Sequence, residues 1–147
     1  DLGRNLERVV RALEQPILAV PDAFIEPRRV MIAFDGSRLA RKGVELVAGS
    51  RLFAGLPVHV VMSGKARGDV VRDLEWAEAT LTDAGYETTA KRLPGDAETV
   101  LARYVRENAI DLLIMGAYSH SPLRSLFLGS RTTDLLRSAT VPTLLLR

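Results

Sequence analysis

Four times along this chain a short apolar run is followed by a segment of helical spacing, and a fifth apolar run comes last. That order predicts a parallel sheet with helices on both faces, a doubly wound α/β domain. The runs are Arg28 to Phe34, Val58 to Met62, Tyr86 to Leu93, Leu112 to Met115 and the stretch from Val141-Pro142 through Leu146. Leu39, Gly43, Leu46, Val47 and Phe53 predict the first helix, stopped by Gly55-Leu56-Pro57. Val70, Leu74, Ala77 and Leu81 carry the second, closed by Ala84-Gly85. The third runs from about Ala97 to Asn108 with Asp96 as its cap, and Leu135 and Leu136 begin a fourth. Tyr86 to Leu93 alternates only weakly, as an edge strand does.

Two strand ends stand out chemically. The run Leu112 to Met115 stops at Gly116, and thirteen positions later Gly129-Ser130 opens the last helical pattern. A glycine lets a phosphate approach the backbone, and a helix N-terminus supplies unpaired N–H groups and the positive pole of the helix dipole. The stretch therefore suits a phosphate cradle. Ser119 and Ser130 could donate hydroxyls to it, Ser130 could reach a magnesium ion held mainly by phosphate oxygens, and Arg124 and Arg131 could pair with terminal phosphates. At the end of the first strand stands Asp35-Gly36-Ser37. Asp35 could accept hydrogen bonds from a ribose, although Asp-Gly-Ser is also ordinary turn chemistry.

The spacing Gly116-x2-Ser119-x9-Gly129-Ser130 resembles the G-x2-G-x9-G-[S/T] nucleotide loop of the universal stress protein family, with Ser119 in place of the second glycine. The resemblance runs over Arg28 to Arg147 and takes in Val30 to Ser37, Asp111 to Gly116 and the final Val141-Pro142 strand. It implies a Rossmann-like fold of the adenine nucleotide alpha hydrolase type, with strand order 3-2-1-4-5. It implies ATP, or ADP or AMP, as ligand, with Asp35 near the nucleoside and the backbone at Val61 or Met62 facing the base. In open sheets of this kind ligands sit where the strand order reverses, between the first and fourth strands. Asp35 and Gly116 end those two strands, so features noticed separately fall in one crevice. Stress survival is the setting that the family implies.

With 147 residues, 47% of them hydrophobic, the chain has enough apolar material for one core; residues 28–147 are expected to form it. No apolar run approaches the roughly 20 residues that cross a bilayer, and no membrane partner is expected. The absence of cysteine fits a reducing compartment, so the cytoplasm is the expected location. Net charge is only +2, and basic residues alternate with acids, as in Arg72-Asp73-Leu74-Glu75. A nucleic-acid partner is not indicated.

Residues 1–21 read as the last helix and strand of a preceding sister domain, with a proline-bracketed linker from Pro21 to Pro27. Placed over Leu128 to Arg147 without a gap, Leu2 to Pro21 matches at Leu2, Gly3, Arg11, Pro16 and Leu18. Such an offset is what tandem duplication leaves. An edge strand needs a partner or cover, and the family resemblance implies that equivalent strands of two domains, or of a homodimer, meet antiparallel. Ile17 to Val20 should therefore lie beside Thr143 to Leu146.

Little points to catalysis. His59 and His120 lack partners at metal-ligand spacing, no nucleophile elbow surrounds a serine, and GxxxxGK[ST] is missing. Trp76 and Tyr104 lie at apolar helical positions and should serve packing. The first expectation is a nucleotide-binding stress or signalling domain; the rivals are an association domain that has lost its nucleotide and a slow ATP hydrolase using His120.

Overall fold

The computed structural model describes residues 16–20, 26–65, 68–116 and 141–146. In chain order the strands are β1 (Ile17–Ala19), β2 (Val30–Ala33), β3 (Val58–Ser63), β4 (Thr88–Leu93), β5 (Leu112–Gly116) and β6 (Thr143–Leu146). The described helices are α1 (Arg38–Gly49), α2 (Gly68–Asp83) and α3 (Ala97–Glu107). All six strands form one sheet in the order β1-β6-β5-β2-β3-β4. From β2 onward the strands are parallel and follow the order 3-2-1-4-5 that the family resemblance implies.

The position of each strand follows from its composition. Every residue of β2 and β5 is buried, which is why both read as unbroken apolar runs in the centre of a parallel sheet. β4, with the sequence TTAKRL, is partly exposed throughout and lies at an edge of the sheet. At the opposite side β1 pairs antiparallel with β6, Ile17 opposite Leu145, Leu18 opposite Leu144 and Ala19 opposite Thr143. The expected neighbour of β6 is thus the observed one.

Alternate residues of each strand feed two cores. Val30, Ile32, Val58, Val60, Met62 and Ile114 pack with α1 and α2. Met31, Ala33, Val61, Leu113, Met115 and Leu145 pack with α3 on the other face. The α1 stripe is Ala40, Gly43, Val44 and Val47, whereas Leu46, expected to belong to it, is exposed. Gly43 lets α1 lie close to the sheet: a Cβ there would stand 2.8 Å from a methyl of Leu146.

Helix α1 also ends sooner than the proline-bounded pattern suggests, at Gly49. Ser50 turns extended at φ −100 and ψ 140, and its N–H closes on the carbonyl of Val47. The hydroxyl of Tyr86, buried between α1 and the sheet, donates to the carbonyls of Val47 and Ser50 at 2.9 and 3.0 Å. Its one proton is shared between two carbonyls at the helix end, of which that of Val47 also accepts the Ser50 N–H.

Candidate functional site

Parallel register brings three strand ends to one edge. Val30 is level with Leu112 on β5 and with Val58 on β3. Carried forward, the same registers set Phe34 level with Gly116 and Met62. Asp35 is therefore the second residue after β2, between the ends of β5 and β3. This is the point where the strand order reverses.

The turn after β2 is built by its own polar groups. The Asp35 carboxylate accepts the N–H of Ser37 at 2.9 Å through Oδ1. Ser37, extended at φ −65 and ψ 162, caps α1: its Oγ accepts the N–H of Ala40 at 3.2 Å. Gly36 between them is left-handed at φ +76, which a residue with a Cβ rarely adopts. The result is a half-buried carboxylate at the mouth of a helix N-terminus.

Val61 and Met62 are buried, their side chains on opposite faces of the sheet. Neither side chain lines the crevice, and the Val61 carbonyl accepts the N–H of Phe34 at 2.9 Å. Whatever these two residues offer a ligand must come from the main chain at the strand end. Gly116 ends β5, buried and level with Leu146. Asp35, Gly36, Ser37, Val61, Met62 and Gly116 are thus brought together; Ser119, Arg124, Gly129, Ser130 and Arg131 lie outside the described residues, as does His120.

Around this turn the structure adds residues that sequence reasoning missed. Arg41 donates through Nε to the carbonyl of Gly36 at 3.3 Å, pairs with Asp73 of α2, and lies over the Trp76 ring at 5.1 Å. Trp76 packs as expected, on Phe34. No spacing rule links Arg41 to Asp73, because the two belong to different helices. An open hollow beside α1 is lined, among the described residues, by Arg38, Leu39, Arg41, Lys42 and Glu45. With Arg41 paired to Asp73, Arg38 and Lys42 add to the positive pole of the helix N-terminus, which favours an anion nearby.

His59 stands apart from the crevice. Its Nδ1 is 2.6 Å from the hydroxyl of Tyr104 on the α3 face, and the rings meet edge to face. Burial, then the positive charge of Arg29, holds its pKa below the ordinary value, with Glu87 opposing and Lys91 adding to the effect. Burial likewise raises the Tyr86 and Tyr104 phenols. Among the described residues no group of three or more His, Cys, Asp or Glu could hold a metal ion, and no helix is long and apolar enough to cross a membrane.

A doubly wound α/β domain whose strand order reverses between the ends of β2 and β5 is the class defined by this sheet. The chain belongs to the universal stress protein family, whose sequence profile matches residues 26–147. It is 41% identical over 148 residues to a universal stress protein of Synechocystis sp., covering 99% of this chain and 52% of that protein. A universal stress protein structure from Archaeoglobus fulgidus superposes with a TM-score of 0.78 at 20% identity, over 96% of this chain and 52% of that one. The chain thus spans about half the length of both. An Arabidopsis thaliana universal stress protein family structure with AMP bound has a TM-score of 0.58 at 17% identity, over 82% of this chain and 91% of that one. At such identities these two structures show a shared fold.

Proposed function

We propose that this domain binds an adenine nucleotide, ATP or its ADP and AMP relatives, in the crevice between the ends of β2 and β5, and serves stress response or signalling. The observation that carries this reading is the convergence of Asp35 and Gly116 at the strand-order reversal. Asp35 offers a carboxylate oxygen to a ribose, while Gly116, Gly129 and Ser130 supply a phosphate approach through backbone N–H groups and the Ser130 hydroxyl. Arg124 and Arg131 would pair with outer phosphates, Ser119 would contribute a hydroxyl where the family pattern has glycine, and Mg2+ would be held mainly by phosphate oxygens. The AMP carried by the Arabidopsis relative supports an adenine ligand. The cations Arg38 and Lys42 in the first turns of α1 support an anionic one.

Binding rather than turnover is the proposed output, in the cytoplasm. Mass spectrometry of the gently purified protein tests it: adenine nucleotide near one per chain is expected, and a chain that takes up none even when nucleotide is supplied contradicts it. Single-turnover phosphate release should be absent or very slow.

A second proposal concerns residues 1–21 as part of a sister domain, with residues 28–147 as the family domain. The sequence offset that matches Leu18 to Leu144 is also the centre of the β1–β6 pairing, with Ile17–Leu145 and Ala19–Thr143 on either side. Equivalent strands related by a two-fold axis pair in this way, whether in tandem or in a homodimer.

A further inference from the structure

The turn that carries Asp35 is held by an arginine of α1 that is itself anchored on α2. Its glycine permits the left-handed conformation at Gly36, but glycine is also the residue with the most backbone freedom to lose. Arg41 counters that freedom at three points. Its Nε donates to the Gly36 carbonyl at 3.3 Å, its Nη2 pairs with Oδ1 of Asp73, and its guanidinium carbon lies 5.1 Å from the centre of the Trp76 ring. Trp76 stacks in turn on Phe34, with centroids 6.5 Å apart and planes at 27°. Phe34 and Gly36, the residues on either side of Asp35, are therefore both tied to α2.

We propose that Arg41 is a positioning residue for the nucleotide crevice: clamped by Asp73 and Trp76, it fixes the Gly36 carbonyl and with it the direction of the Asp35 carboxylate. This rests on the nucleotide reading above. The arginine side chain is 41% exposed and that of Asp73 25%, so the ion pair as such contributes little. The role is geometric. A guanidinium offers one edge to a carbonyl, another to a carboxylate and a flat face to a ring, whereas a lysine ammonium is a point charge that cannot do all three. Trp76 is the only tryptophan in the chain, so its emission reports the clamp directly.

The experiment compares wild type, Arg41→Lys and Arg41→Met by calorimetric titration with AMP and ATP, by Trp76 emission and by thermal unfolding. Both variants should bind about three- to tenfold more weakly, the range expected for one lost hydrogen bond. Arg41→Lys should keep the melting temperature without restoring affinity, and nucleotide should shift Trp76 emission in wild type much more than in either variant. Wild-type affinity in both variants, or full rescue by lysine, overturns the clamp. Should wild type take up no nucleotide, the nucleotide reading fails, and amide exchange of the ligand-free protein decides the clamp. Ser37 and Ala40 amides exchanging about tenfold faster in Arg41→Met uphold it, and unchanged protection overturns it.

Discussion

A Cβ placed on Gly36 would stand 2.6 Å from Oδ2 of Asp73, and the backbone there has φ +76. Two separate constraints thus select glycine at one position. Gly36→Ala is expected to destabilise the fold by about 1–3 kcal/mol, because the strained conformation and the displaced carboxylate act together. Urea unfolding checks this, and adding Asp73→Ala should recover only the part due to the contact. Equal stability of Gly36→Ala and wild type contradicts it.

Tyr86 is the second test of packing. Its hydroxyl serves the carbonyls of Val47 and Ser50 at the end of α1. Tyr86→Phe keeps the ring and removes that donor, while the Val47 carbonyl keeps the Ser50 N–H, so the expected cost is about 0.5–1.5 kcal/mol. A shift in the urea midpoint with an unchanged slope is the predicted signature. No shift would mean that water replaces the hydroxyl at no cost.

Acid should loosen the α3 face. The His59 pKa lies below its usual value of 6.5, through burial first and Arg29 second. Folded His59 therefore binds a proton less readily than unfolded His59. Its contribution is complete above about pH 6.5 and is lost as pH falls toward and through the lower folded value. His59→Gln should flatten the decline in stability between about pH 7 and pH 5, measured by denaturant midpoints at each pH. An unchanged decline assigns the acid sensitivity to other groups.

The β1–β6 contact predicts slow exchange for those β1 amides that point at β6. Leu18 is 51% exposed, so protection there would come from the ladder and not from burial of the side chain. Exchange at the rate of an unfolded peptide throughout Ile17–Ala19 would count against both the pairing and the proposed sister strand.

Much of the fold was legible because burial leaves a direct imprint on composition. Strands buried on both faces, such as Val30–Ala33 and Leu112–Gly116, must be apolar throughout, and Asp96 announces α3 by capping it at Thr99. The end of α1 was not legible. Gly55-Leu56-Pro57 is a strong stop, but the chain breaks earlier at Ser50, where Tyr86 from a distant segment receives the helix end. Leu46 likewise differs: its spacing fits a helical stripe, yet the face buried on the sheet is Ala40, Gly43, Val44 and Val47. At the site, Asp35 and Gly116 could be paired from sequence because the strand order that brings them together follows from the family resemblance. Arg41 and Asp73 could not, since nothing in either helix records which side chain of the other it will face.

The central claim is that the crevice between β2 and β5 takes an adenine nucleotide through Asp35, and calorimetric titration of wild type and Asp35→Ala with AMP and ATP tests it most directly. The account predicts micromolar binding by wild type, roughly −8 kcal/mol, and at least about tenfold weaker binding by Asp35→Ala, with circular dichroism showing both folded. Equal affinities, or no binding heat from wild type at millimolar nucleotide, would contradict it.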